Sequence, residues 1–263
     1  MKKVLYLTLV ILMAMGLAAC TAPSSDETVS SEQSASVSAE TPDVSQDSTP
    51  EATDEPVVVF TDAVLEELVR SAMGKPEGDI TLAEAEAVTE LDLQLEGGAV
   101  VSRVSDLDAL KYFTNLTNLN LSWTMYNGGN DVDISPLAGL TKLEGLSICC
   151  DDVADISTLA GMTNMKGLWI WGNGRITDIS ALAGMTNMED LWIKGNQITD
   201  ISALAGMENL WRLYMEDNQV TDISSLSGMT KLTSLLLSGN PVEDYSPLGD
   251  IYPNLTEKDF ELN

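Results

Sequence analysis

The chain has no histidine, and only three of its 263 residues are Cys. Without His, no Ser-His-Asp triad, Cys-His dyad or His-ligated zinc site can be assembled. Three thiols are too few for a disulfide framework or a four-thiolate metal site. Basic residues are scarce: 13 Lys and Arg stand against 41 Asp and Glu, a net charge of −28. Such a surface repels phosphate and argues against nucleic-acid binding. Long apolar runs are also missing. The longest, Val4 to Ala14, has eleven residues with Thr8 its only polar member. As a helix it would span about 16 Å, too short for a hydrocarbon core of about 30 Å.

That short run has the layout of a signal peptide. Lys2 and Lys3 precede it, and Leu17-Ala18-Ala19-Cys20 follows. Leu-Ala-Ala-Cys in this place resembles the lipobox of bacterial lipoproteins. The resemblance implies that residues 1–20 are a lipoprotein signal, with Cys20 acylated as the first mature residue. It further implies that the chain sits on the extracytoplasmic face of the cell membrane, held only through this lipidated N-terminus. More than one acyl chain is what stable anchoring requires.

Residues 21–58 contain nine Ser, five Thr, four Pro and nine acids, with no Lys, Arg or aromatic residue. Such a composition cannot bury enough apolar area to offset the entropy of ordering. A disordered acidic tether is expected, with a reach of roughly 35 Å as a flexible coil.

Residues 59–90 read as a helical cap. Val64, Leu65, Leu68, Val69, Ala72 and Met73 fall at helical spacing. Thr61 is the expected N-cap, with Phe60 packing onto Leu65. Gly74 followed by Pro76 ends the helix. Thr81 and Glu84 form a capping-box pattern opening a second short helix toward Val88. Leu91-Asp92-Leu93 then alternates like a strand.

The remainder, 91–263, is repetitive. Asp-Ile-Ser recurs at Asp133, Asp155, Asp178, Asp200 and Asp222, and as Asp-Tyr-Ser at Asp244, at intervals of 22, 23, 22, 22 and 22. Ile201, Leu204, Met207, Leu210, Leu213 and Met215, closed by Asn218, are one copy. A period of 20–29 residues with L-x-x-L-x-L-x-x-N is the leucine-rich repeat signature. One unit cannot bury its apolar face alone, so the units must stack into a solenoid that needs a cap at each end, here residues 60–90 and Tyr252–Leu262. The fold class expected is α/β, a curved parallel-sheet solenoid with an N-terminal helical cap. The 22-residue Asp-Ile-Ser-x-Leu-Ala-Gly-Met-Thr-Asn repeat behind a helical cap resembles the internalin family of bacterial surface proteins. The resemblance implies a concave sheet that grips a partner and a convex side of 3₁₀ turns. The chain departs from the family's best-known members in having no sortase signal and no evident Ig-like segment after the repeats, so host-cell invasion is not carried over.

Several repeating columns have structural roles. Asn173, Asn196, Asn218 and Asn240 follow their strands, where an Asn side chain can bond buried turn backbone. Each Asp of Asp-Ile-Ser can accept the N–H two residues on. A Ca²⁺ column would need converging oxygens in addition to stacking. Met162, Met185, Met207 and Met229 occupy an inward slot as core filler. Cys149 reads as an outward, incidental thiol beside Cys150, with a reactive thiol or a vicinal disulfide as the alternatives. An insertion spans Trp123 to Val132, and insertions in solenoids map to loops on one face.

The outward strand positions carry the functional expectation. In Leu168-Trp169-Ile170-Trp171 the aliphatic residues take the core slots, so both Trp face away from the core. Trp192, Tyr214 and Leu236 follow in the same register. Trp211 precedes its strand, and Arg212, Lys194, Asp190 and Glu216 surround the stripe. Exposed aromatic clusters mark binding surfaces. The candidate ligand-binding residues are therefore Trp169, Trp171, Trp192, Trp211, Tyr214, Arg212, Lys194 and Glu216. No nucleophile–base constellation is present, so no catalytic residue, metal site or cofactor is assigned. The expected function is that of a monomeric cell-surface recognition module for a protein or peptide. A glycan- or cell-wall-binding module using Trp platforms is the alternative.

Overall fold

The computed structural model describes residues 55–94, 104–122, 124, 131–149 and 152–262. Cys20, nearly all of the tether, Cys150, and Trp123 with residues 125–130 of the insertion lie outside them.

An N-terminal helix α1 (Ala63–Met73) and a short helix α2 (Leu82–Ala87) open the described chain. The N-cap of α1 is Asp62, one residue later than expected from Thr61; its Oδ1 accepts Val64 and Leu65 N–H at 2.9 Å. Asp62 also accepts the Ser105 N–H and hydroxyl at 2.8 and 2.9 Å, which joins the helix to the first repeat. Thr61 instead donates its hydroxyl to Asp106. Burial raises the Asp62 carboxyl, but these four donors outweigh it and hold the group below its usual value. Gly74 ends α1 with φ +65°, a left-handed cap that favours Gly. The Thr81–Glu84 capping box forms in full.

Eight short strands follow in chain order and pair in parallel with their neighbours only. They are β1 (Glu90–Asp92), β2 (Asn118–Asn120), β3 (Gly145–Ser147), β4 (Gly167–Trp169), β5 (Asp190–Trp192), β6 (Arg212–Tyr214), β7 (Ser234–Leu236) and β8 (Glu257–Lys258). Each return carries a 3₁₀ turn, such as Ser180–Leu182, Ser202–Leu204 and Ser224–Leu226. This is the expected leucine-rich repeat solenoid. A single apolar core runs from Val58 and Leu65 in the cap to Leu255 near the C-terminus. The Met162, Met185, Met207 and Met229 slots are buried within it.

The repeated polar residues bond backbone, as their positions predict. Ser180, Ser202, Ser224 and Ser246 each donate N–H to the Asp two residues earlier at 2.7–2.8 Å. Those N–H groups hold the Asp200, Asp222 and Asp244 carboxyls below the usual range. Asn218 donates to Ile193 and Met215 carbonyls and accepts Ile198 N–H, bridging three turns. A second ladder went unread in the sequence: Asn164, Asn187 and Asn209 donate to Thr141, Thr163 and Thr186 carbonyls one repeat back. Beside the first ladder the backbone is left-handed at Gly172, Gly195 and Gly239, and at Asp217. A Cβ at Gly239 would stand 3.0 Å from Asp217 backbone, so only Gly fits there.

The C-terminal end is closed by side chains. Asp259 accepts Leu237 and Ser238 N–H at 2.8 and 2.9 Å, groups that a further strand would otherwise pair. Phe260 stacks on Tyr245 with centroids 5.0 Å apart.

Candidate functional site

Parallel register turns the repeat into columns on the outer, concave face of the sheet. Ser147, Trp169, Trp192, Tyr214 and Leu236 are successive partners across β3 to β7. Gly145, Gly167, Asp190, Arg212 and Ser234 form the adjacent column. The predicted aromatic column is therefore present, but it is not uniformly accessible.

Trp169 corrects the expectation of a solvent-facing ring: it is 2% exposed. Its ring leans over Gly145, where an added Cβ would lie 3.7 Å from Cζ3. A Cβ there would only touch the indole, but it would collide with the Asn118 side-chain oxygen at 2.6 Å. Cys149, expected at the surface, is buried too, with Sγ 3.4 Å from the Trp169 carbonyl oxygen. Asn120, Ser122 and Ser147 on the same face are likewise buried. Trp171 is half-buried. The accessible part of the aromatic column thus begins at β5 and runs toward β8, while at the other end of the face Glu90 and Asp92 of β1 are exposed.

There the structure brings four predicted residues together. The Arg212 guanidinium lies 4.3 Å from the Trp211 ring centroid, 5.3 Å from Trp192 and 5.7 Å from Tyr214. The Trp192 and Tyr214 rings meet at 4.9 Å. Cation–π attraction favours this arrangement by about 0.5–1 kcal/mol per contact at exposed sites. Trp211, at 38%, is the exposed member, while Trp192 and Tyr214 are half-buried.

Asp190 holds this cluster. Its carboxylate is fully buried and takes Arg212 Nε at 2.9 Å and Nη2 at 2.6 Å. The Trp192 indole N–H donates to the same carboxylate at 2.8 Å. Burial pushes the Asp190 carboxyl up; Arg212 and the indole pull against it. A bidentate Arg–carboxylate pair fixes orientation as well as charge. The Asp190–Arg212 pairing has a sequence signal: opposite charges occupy one slot of consecutive repeats, 22 residues apart. Glu257 was not foreseen. It accepts the Tyr214 hydroxyl at 2.7 Å from the second strand along. Burial, and then this carboxylate, push the Tyr214 phenol up to about 12. Lys194 and Glu216 lie two residues beyond Trp192 and Tyr214, with Nζ and Oε1 3.7 Å apart.

The arrangement offers a rigid aromatic–guanidinium surface. Among the described residues no group of three or more His, Cys, Asp or Glu side chains is placed to hold a metal ion. No helix among them is long and apolar enough to cross a membrane.

Comparison with known proteins agrees with this geometry. The family described as Leucine Rich repeats (2 copies) matches residues 163–206 and again 186–228. No curated protein sequence matches the chain. Among solved structures, internalin C2 from Listeria monocytogenes is 26% identical over 80% of this chain and 99% of its own, with TM-score 0.55. A leucine-rich repeat protein of Leptospira interrogans, 17% identical, covers 69% of this chain and 51% of its own at TM-score 0.53. The plant peptide hormone receptor RGFR1 in complex with RGF2, 19% identical, covers 68% and 33% at TM-score 0.51. The last two share the fold alone. Solenoids of this kind commonly bind proteins through their concave surfaces and are typically scaffolds, not enzymes. The chain is a leucine-rich repeat protein with internalin-like structural neighbours.

Proposed function

We propose that the chain is a lipid-anchored, cell-surface recognition module. It binds a protein or peptide partner across the β5–β8 part of its concave face. The observation that carries this reading is the Arg212 guanidinium, fixed by buried Asp190 among Trp192, Trp211 and Tyr214. Trp, Tyr and Arg are the residues that most often dominate interface energetics, above all when held in place before binding.

Trp211 is the cleanest probe, because it is exposed and precedes its strand. Envelope extracts and neighbouring-cell surfaces would be passed over immobilised full-length chain, and affinity measured for each captured partner. Trp211→Ala should weaken capture by about 2 kcal/mol, roughly thirtyfold, while the thermal midpoint stays within the range of a surface substitution, about ±0.5 kcal/mol. Undiminished binding by this variant would displace the site from the face, and capture of glycans alone would favour the Trp-platform reading.

The anchoring part of the proposal rests on Leu-Ala-Ala-Cys20 after the apolar run. Cys20→Ala should release the protein from the membrane fraction or block its processing. A Cys20→Ala chain that still fractionates with membranes in mature, acylated form would end this account.

A further inference from the structure

We infer that the partner seats one cationic side chain, Lys or Arg, against Glu216. The inference rests on the recognition reading above and narrows it to a partner chemistry.

Glu216 lies two residues beyond Tyr214, at the open end of the aromatic cluster, and is 9% exposed. A carboxylate this buried is normally bonded on both oxygens, because desolvating a charge without partners is costly. Glu216 is not. Its Oε2 is shielded and accepts no hydrogen bond among the described residues. Its Oε1 faces Lys194 Nζ at 3.7 Å, beyond hydrogen-bond distance. Lys194 is itself about a third exposed, so the pair is loose. Contrast Asp190, equally part of this face, which takes three donors at 2.6–2.9 Å. Burial pushes the Glu216 carboxyl up, its own backbone N–H and Lys194 pull against this, and the charges of Asp259 and Asp217 outnumber the one of Lys194. Asp259 is already tied to Leu237 and Ser238 N–H and serves as background charge.

An arriving ammonium or guanidinium would bond Oε1, which Lys194 leaves without a hydrogen bond, and would meet a field of matching sign. The neighbouring Tyr214 ring and Leu236, both half-buried, give its aliphatic stem an apolar wall. Lys194, half-buried and loosely held, can swing outward. A neutral or acidic partner group would leave the same carboxylate buried and unpaired, which costs affinity. A sugar hydroxyl would satisfy one oxygen without using the charge.

The test is selection from a random-peptide display library on the full chain, followed by a double-mutant cycle. Selected peptides are expected to carry a Lys or Arg. Replacing that residue by norleucine should weaken binding to the wild type by at least about tenfold. In Glu216→Gln the same replacement should have little further effect, because the coupled partner is already gone. The thermal midpoint of Glu216→Gln should be unchanged or higher, since a hydrogen-bond-poor buried charge has been removed; this separates lost recognition from lost folding. Trp211-dependent peptides without a basic residue, or losses that simply add in the cycle, would overturn the cationic seat and leave the concave site standing. Peptides indifferent to both Trp211→Ala and Glu216→Gln, or a selection that yields no binder, would overturn both.

Discussion

Asp190→Ala should cost about 3–5 kcal/mol of folding stability, the range seen when one partner of a buried ion pair is removed. For a repeat domain of about 200 residues that is a drop of roughly 6–20 °C in thermal midpoint. The size follows from what remains. Arg212, whose side chain is only 11% exposed, would keep its charge with neither of its two bonds to the Asp190 carboxylate. The Trp192 indole N–H would lose its acceptor as well. Partner binding should fail in the same variant, because the guanidinium would no longer be fixed among the three rings. Replacing both charges, Asp190→Ala with Arg212→Met, should recover much of the stability and none of the binding. The measurement is thermal and denaturant unfolding of the two variants beside the wild type. A single-variant loss below about 1 kcal/mol, the level of an exposed pair, would show that the pair is ornamental.

Trp169→Ala should be comparably damaging, at about 3–5 kcal/mol, as for other buried aromatic truncations. Trp169 and Trp211 have the same chemistry and lie on or just before strands two repeats apart in one sheet, yet they are 2% and 38% exposed. Truncating Trp169 would leave a cavity over Gly145, which has no side chain to collapse into it. Truncating Trp211 would remove a ring that water already reaches. The expected ranking is therefore stability loss at Trp169 and binding loss at Trp211. Denaturation curves of both variants, read together with partner affinity, decide it. If Trp169→Ala unfolds like the wild type, the ring is a ligand anchor after all and the burial seen here is closed over by something that moves.

These contrasts locate what the sequence could convey. The 22-residue spacing of Asp-Ile-Ser, the Leu and Ile slots around each strand and the trailing Asn are local statements. Each says which backbone conformation a segment takes and which way its side chains alternate, because a strand has period two and a return turn needs specific acceptors. Parallel stacking then follows, since no single repeat can bury its apolar side. So the solenoid, its register, the inward Met slots and the Asp and Asn bonds were all legible. The N-cap was missed by one residue because Thr61 and Asp62 are both good caps, and a contact 43 residues away, to Ser105, favours Asp62.

By itself, then, the sequence determined the columns: which residues share a face, and in what order. Only the tertiary structure decided which members of a column meet solvent. Alternation assigns a side chain to a face but says nothing of what the adjacent repeat places beside it. Trp169 lies against the strand that carries Gly145 and becomes core, while Asp190 bonds the half-buried Trp192 indole and Arg212 stacks on the exposed Trp211. The same limit applies to charge. Glu216 and Asp190 are both acids at outward positions, but Asp190 is saturated by three donors and Glu216 keeps one oxygen with none. That difference lies in distances between strands, and exposure and hydrogen bonding are set by those distances because they depend on every neighbour at once.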